Sequence, residues 1–430
     1  MAARYHSFRP LVQIISMGLA AKHGYRLTAR DRLSAPAPTP GTEGMPWRSG
    51  KSRLMAEQMH VLAPTGYPWA FNGPRASRHL VERRSFIPFN KVSAKIEGFT
   101  VFKPLPARRF DLIHAFNRIP LGADPFIIGF ESHLPRAYGL EKTAYYSWLV
   151  RMLEDPRCRG IFPISEHAKT IFEHFLADRP ERDALLQKTQ VRYPNISLSP
   201  EADTHTIAPN HLRVAFVGAH FARKGGCVAV RLAELARERG APISVDIVSK
   251  LEMGAAVWTD PIRDSYFDRY RALLDAPNVK LHGPLGNPEV LALLGQAHFS
   301  LLATFGDTFG FSAIESMARG TPVVATTQGA LPEFIKDADS GILLPLDTND
   351  LGEWRYAAAA TRNSMSFENM FTSQVERLAQ AAFDRLVYFL DRPAAYRAMR
   401  VSALAATHEF FDSDVANTFW DSTYDNAVKR

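Results

Sequence analysis

Between Leu212 and Thr326 short apolar runs alternate with segments of helical period, and this alternation restricts the fold more than any other feature. "HLRVAFVGA" leads through "HFARKGG" to "CVAVRLAELARERG", whose apolar residues recur at helical spacing and whose Gly240 supplies a stop. "PISVDIVS", "NVKLHGP", "FSLLAT" and "TPVVAT" read as strands, and "SYFDRYRALLD", "NPEVLALLGQA" and "GFSAIESMARG" as the helices between them. Strands joined by helical crossovers pair in parallel, so the pattern predicts a doubly wound α/β sheet. A ligand of such a sheet binds beyond the carboxyl ends of the strands, where loops meet helix N-termini.

The first half carries a sparser version of the same pattern. "MHVLAPTG", "FDLIHAFN" and "DPFIIGFESH" are apolar runs that end in polar or turn residues, and "CRGIFPISEHAKTIFEHFL" reads as strand, turn and helix with Ser165 as the cap. "VRYPNISLSPEADTHTIAPNH" looks like a connection between domains. A chain of 430 residues is long for one core and comfortable for two. The expected division is a tail (1–57), a first domain (58–205), a second domain (206–400) and a helical segment (401–430) that packs back on the first domain.

The distribution of charge argues against a nucleic-acid partner. The formal net charge is +7, but residues 1–57 hold nine Lys or Arg against Asp31, Glu43 and Glu57, which leaves about +1 for the body. A nearly neutral body has no general affinity for a polyanion. The tail is rich in Pro, Gly and Ser around "SAPAPTPGTEGMPWRSGKSR" and is expected to be extended or disordered. Its "LVQIISMGLAA" is too short to span a bilayer and, with Arg4 and Arg9 ahead of it, weakly resembles a targeting peptide. Such a tail can bring a cytoplasmic enzyme to the anionic inner surface of a membrane. Cys158 and Cys227 are too few for a disulfide framework and suit a reducing compartment.

"GDTFGFSAIESMARGTPVVAT" puts Asp307 in the loop and Glu315 on the helix, seven residues between them. Amide groups near Gly310, Phe311 and Ser312 would face a phosphate oxygen at the sheet edge, with a carboxylate on either side to accept sugar hydroxyls. The same spacing also fits a plain helix start, with Asp307 or Thr308 as cap and Ser312 with Glu315 as a capping box. "VGAHFARKGG" adds a second constellation: Arg223 and Lys224 end a strand just before two glycines, placed to meet a diphosphate. It lacks the spacing of the phosphate-binding P-loop.

Together these residues resemble the nucleotide-sugar site of the retaining glycosyltransferase family 4, the group 1 glycosyltransferases with the GT-B fold. The specific match is "GDTFGFSAIESMARGTPVVATTQGALPEFI", Gly306 to Ile335, and a weaker one runs from Met59 to the C-terminus through "RKGG", "NPEVLALLGQAHFSLLAT" and "ISEHAKTIF". The resemblance implies two Rossmann-like domains facing across a cleft. It implies that Glu315 holds the nucleotide ribose, Asp307 contacts the transferred sugar and Lys224 binds the diphosphate. The chain departs from the family in having Asp307 where Glu is usual, and Ala219 and His220 after Gly218 where Arg is frequent; Arg223 is the candidate to supply that charge. In the first domain, "FIIGFESHLPR" resembles the loop that places a His near the reacting sugar, a place that either Glu131 or His133 fills. "YPWAFNGPR", with Gly73, resembles the first-strand loop that approaches donor and acceptor. His114 reads as a near-core residue.

The expected activity is transfer of a hexosyl-type sugar from a nucleoside-diphosphate sugar to an acceptor hydroxyl of a glycan, lipid or small molecule in carbohydrate biosynthesis, with retention of anomeric configuration. No cofactor and no metal are expected, since cations and amides can stabilise the leaving diphosphate. The alternatives are a nucleotide-sugar-binding protein with impaired catalysis, and another GT-B enzyme such as a nucleotide-sugar epimerase or a phosphorylase, the last without any sign of a pyridoxal lysine.

Overall fold

Each half of the chain builds one six-stranded sheet. The computed structural model describes residues 58–429 apart from 67–68, 88, 90–95, 104–108, 199–209 and 284; the tail of residues 1–57 lies outside them. The first half contains β1 (His60–Pro64), β2 (Leu80–Phe86), β3 (Phe99–Thr100), β4 (Phe102–Lys103), β5 (Leu112–Phe116), β6 (Ile119–Pro120), β7 (Phe126–Phe130) and β8 (Cys158–Pro163). Its helices are α1 (Trp69–Asn72), α2 (Ala144–Glu154), α3 (Glu166–Phe175) and α4 (Arg182–Leu186). The sheet order is β4-β2-β1-β5-β7-β8, parallel except at the β4 edge, and β3 pairs with β6 apart from it.

The second half contains β9 (Leu212–Val217), α5 (Gly226–Glu238), β10 (Ile243–Val248), α6 (Asp268–Ala272), β11 (Val279–His282), α7 (Asn287–Gln296), β12 (Phe299–Leu302), α8 (Phe311–Met317), β13 (Val323–Thr326), α9 (Leu331–Phe334) and β14 (Gly341–Leu344). The order β11-β10-β9-β12-β13-β14 is parallel throughout. Strands buried on both faces carry near-continuous apolar residues, which is why "VAFV" and "VVAT" read so plainly. The segment "SYFDRYRALLD" departs from a single helix: 3-10 turns at Asp264–Phe267 and Leu273–Asp275 flank the short α6. The tighter winding lets the adjacent rings of Tyr266 and Phe267, together with Tyr270, reach the core.

Three helices complete the chain: α10 (Met365–Val387), α11 (Pro393–Phe411) and α12 (Ser413–Lys429). α10 buries Phe371, Val375, Leu378 and Ala382 in the same core as α5. α11 packs Ala403 and Ala406 into the cluster that holds α8, so a boundary at residue 400 falls inside this helix. α12 returns to the first sheet, where Ala416, Trp420 and Tyr424 meet Val61, Leu112, Ile127 and Phe162. His114 hydrogen-bonds the Tyr424 hydroxyl at 2.8 Å there, and complete burial holds it neutral, well below its ordinary pKa. No helix among the described residues is long and apolar enough to cross a membrane.

Candidate active site

Strand order in the second sheet reverses between β9 and β12, so the loops leaving their carboxyl ends turn to opposite faces and open a crevice between them. The two loops are stitched together at its floor. The Phe305 N–H and the Thr304 hydroxyl donate to the Arg223 carbonyl at 2.8 and 3.0 Å, and the Arg223 guanidinium donates to the Gly306 carbonyl at 2.7 Å. Gly225 permits this approach: its φ is +95°, and a Cβ there would lie 2.5 Å from the Ala303 carbonyl oxygen.

At the meeting point the Lys224 ammonium forms a hydrogen-bonded ion pair with the Asp307 carboxylate, the two side chains 18% and 10% exposed. Burial alone would raise the Asp307 pKa. The charge and hydrogen bond of Lys224, the charge of Arg223 and the Phe309 N–H outweigh it and hold the carboxyl below its ordinary range. Asp307 is therefore ionised at neutral pH. Its own N–H is fixed by Gln328 Oε1 at 2.9 Å.

Glu315 lies one turn into α8, 5% exposed, and its Oε1 accepts from Asn287 Nδ2 at 2.9 Å at the start of α7. Neither capping reading of the spacing describes this helix. The N-cap is Gly310 with φ +92° and no side-chain cap bond, so Asp307 and Thr308 lie ahead of the cap and Ser312 lies inside the helix. The physical reason is room: a Cβ on Gly310 would meet Leu331 at 2.7 Å.

The first domain presents the carboxyl ends of its own strands to this region. Phe71 of α1 stacks on Phe311 with ring centroids 4.7 Å apart. Gly73, two residues on, closes the turn after α1, and its carbonyl accepts from Asn195 Nδ2 at 2.9 Å. Glu333 of α9 accepts the N–H groups of Glu166 and His167 at 2.9 and 2.7 Å and the Tyr193 hydroxyl at 2.7 Å, so a carboxylate of the second domain caps α3 of the first. The His167 ring sits against two glycines of the second domain. A Cβ on Gly329 would lie 3.8 Å from its Cδ2 and 2.7 Å from the Asp307 carbonyl oxygen, and a Cβ on Gly352 would lie 3.5 Å from its Nδ1. Burial lowers its pKa to about 4, partly opposed by a hydrogen bond with the Leu351 backbone.

Glu131 and His133 lie together in the first domain, and their hydrogen bonds stay there. Glu131 accepts from Arg136 at 2.8 Å and Asn117 at 3.2 Å. His133 Nδ1 is 3.2 Å from the Ser132 hydroxyl, with its ring against Tyr138 and Phe175, both at 5.0 Å between centroids. Burial, then the Arg136 charge, lowers its pKa to about 4, and His167 is near enough to add to the effect. The structure thus gathers Arg223, Lys224, Asp307, Gly310, Phe311, Ser312 and Glu315 on adjoining loops and helix, with Gly73 two residues beyond Phe71, which stacks on Phe311, and keeps Glu131 and His133 in their own network. His167 and Glu333 were not singled out by sequence reasoning, although both stand in segments that carry the resemblance, "ISEHAKTIF" and "GALPEFI". Among the described residues no three His, Cys, Asp or Glu side chains are grouped to hold a metal ion.

Residues 211–357 match the family model described as "Glycosyl transferases group 1". Curated relatives include the D-inositol 3-phosphate glycosyltransferase of Arthrobacter sp. (strain FB24), 31% identical over 49% of this chain and 50% of that protein. The protein of the same name from Paenarthrobacter aurescens is 29% identical over 37% of this chain and 39% of its own length. The matched region therefore spans half or less of the length of these two relatives. Among solved structures, Anabaena HepE in complex with UDP-glucose superposes with a TM-score of 0.53 at 14% identity, covering 85% of this chain and 99% of that one. A glycosyltransferase from Rickettsia africae gives 0.53 at 15% identity, covering 87% and 99%. At such identities the likeness is one of fold. The chain has the two-domain GT-B fold, and its residues 211–357 match the group 1 glycosyltransferases.

Proposed function

We propose that the protein is a retaining glycosyltransferase that moves a hexosyl-type sugar from a nucleoside-diphosphate sugar to an acceptor hydroxyl without a metal ion. The observation that carries this reading is the Lys224–Asp307 pair in the β9/β12 crevice, with Glu315 on the helix that follows. Without donor, Lys224 is neutralised by Asp307. An arriving diphosphate competes for the ammonium, and Asp307, released in part, becomes an acceptor for hydroxyls of the transferred sugar. Glu315 accepts the ribose hydroxyls. Arg223 holds the Asp307 loop through Gly306 and adds its charge to the same field.

In a retaining transfer the acceptor arrives on the face from which the diphosphate leaves. Cations fixed at the diphosphate then stabilise negative charge where it develops, which is the role open to Lys224 and Arg223. His133, held neutral, is available as a hydrogen-bond partner near the reacting sugar, with Glu131 fixing the loop through Arg136 and Asn117. The positive charge of residues 1–57 supports peripheral contact with an anionic membrane from the cytoplasmic side. The test is release of nucleoside diphosphate from a panel of nucleotide sugars by the full chain. UDP-glucose, the ligand of the Anabaena structure, is the first donor, and D-inositol 3-phosphate, named for the curated relatives, the first acceptor. No release and no binding across the panel would remove the reading.

A further inference from the structure

The loop that follows β10 carries an exposed tryptophan beside the acid–cation pair. Trp258 is 43% exposed, although its neighbours Val257, Thr259 and Asp260 are 3%, 0% and 0% exposed. The loop beneath it is firmly tied. The Gly254 N–H donates to Asp260 Oδ2 at 3.1 Å, the Thr259 hydroxyl to Oδ1 at 2.8 Å, the Arg362 guanidinium to the Asp260 carbonyl at 2.7 Å, and the Ala358 N–H to the Trp258 carbonyl at 3.0 Å. The indole is thus set out of a buried, hydrogen-bonded turn and not left loose on a mobile one.

The ring lies against Gly306, the residue before Asp307. A Cβ on Gly306 would fall 2.5 and 2.8 Å from two carbons of the indole. Gly306 does not adopt the left-handed backbone that favours glycine, so its lack of a side chain serves the ring contact and not the turn. Three features therefore meet within two residues of chain: an apolar aromatic surface, the Gly306 carbonyl held by Arg223, and the Asp307 carboxylate on Lys224. Small-ligand sites combine such an apolar wall with a few fixed polar groups that set orientation. A hexose suits the pair, because its hydroxyls meet a carboxylate while its C–H face meets an aromatic ring.

We propose that the exposed indole of Trp258 is the stacking wall for the transferred sugar of the donor. This rests on the glycosyltransferase reading and adds to it a residue that selects the sugar and not the nucleotide. Glu315, the residue assigned to ribose, is turned to Asn287 of α7, so the nucleotide end of the site has its own anchor.

The experiment takes the sugar nucleotide from a UDP-, GDP- and ADP-sugar panel that most raises the melting temperature, with its matching free nucleoside diphosphate. Both are titrated calorimetrically into the full chain and into Trp258→Ala, Trp258→Phe and Gly306→Ala. Trp258→Ala is expected to weaken the sugar nucleotide roughly 10-fold, the scale for truncating an aromatic side chain that the bound ligand covers, and the free diphosphate less than 2-fold. Trp258→Phe should fall between wild type and alanine. Gly306→Ala, which keeps the ring but displaces it, should repeat the selective loss and covers the case in which Trp258→Ala fails to fold. Equal loss for both ligands would place the ring on the nucleotide, and no loss for either would make it a structural residue; each overturns the proposal. Wild type that binds no member of the panel would instead defeat the glycosyltransferase reading, and this proposal with it.

Discussion

The Lys224 ammonium and the Asp307 carboxylate form an ion pair across two loops that lie 83 residues apart in the chain. Because the strand order reverses between β9 and β12, this one contact joins the phosphate-side loop to the acid-bearing loop. Lys224→Ala leaves Asp307 enclosed without its main cation. The expected cost is about 1 to 3 kcal/mol of stability, below the value for a fully buried pair because both side chains keep some exposure. The same substitution should weaken a nucleoside diphosphate far more than the matching nucleoside, measured by titration of the folded variant. Equal weakening of the two would mean a folding defect and no phosphate contact.

Glu315 holds Asn287 and, in the proposed function, the ribose. The two roles separate by substitution. Glu315→Ala should weaken nucleoside diphosphate binding by about 2 to 3 kcal/mol, the scale for charge-assisted hydrogen bonds. Asn287→Ala removes the neighbour but keeps the carboxylate, so it should cost about 1 kcal/mol of stability with affinity nearly unchanged. Wild-type affinity in folded Glu315→Ala would end the ribose assignment.

Glu333 fastens the two domains through the N–H groups of Glu166 and His167 and the Tyr193 hydroxyl. Glu333→Ala orphans all three donors, and about 2 to 4 kcal/mol of stability should be lost. Chemical denaturation monitored by circular dichroism reads this directly. A silent variant would show that the α3 N-terminus finds equal partners in water.

Acid should destabilise the protein before carboxylates of ordinary pKa titrate. His133 and His167, lowered by burial to about 4 from an ordinary 6.5, stay neutral in the native state while the unfolded chain takes up protons below 6.5. Their contribution is therefore fully present above 6.5 and is lost as pH falls towards 4, about 1 to 3 kcal/mol for each. Asp260 acts in the opposite sense. Burial raises its pKa to about 6, so the native state holds a proton that the unfolded chain has released, and stability falls as pH rises from 3.8 to 6. His114, buried and held neutral in the same way, adds to these two histidines, and together they outweigh one aspartate, so the melting temperature should fall from pH 7 to pH 5. His167→Gln should flatten that fall and Asp260→Asn should steepen it.

The second sheet was legible because parallel strands buried on both faces leave unbroken apolar runs. β2 was not, since "LVERRSF" lies near the sheet edge with Leu80 and Arg83 exposed and with Glu82 and Arg84 half-buried as an ion pair. The acid spacing from Asp307 to Glu315 was read, but its helix start was open until Gly310 took the left-handed cap. The sequence places Arg223 and Lys224 to meet a diphosphate; in the structure Arg223 also donates to the Gly306 carbonyl and Lys224 pairs with Asp307. Glu333 and His167 could not be matched from sequence, because each finds its partners in the other domain. Trp258 stands in a loop without period, and only its contact with Gly306 gives it meaning.

Asp307→Asn tests the account most directly, because it removes the charge while keeping the side chain's size. The account predicts loss of donor hydrolysis or sugar transfer by roughly 100-fold or more, the consequence of losing a contact that strengthens in the transition state. It also predicts that free nucleoside diphosphate binds at least as tightly as in wild type, since Lys224 no longer shares its charge with a carboxylate. Both quantities come from one folded variant, by turnover and by calorimetric titration. Full turnover with unchanged diphosphate affinity would contradict the account and leave the Lys224–Asp307 pair as a fastening between two loops.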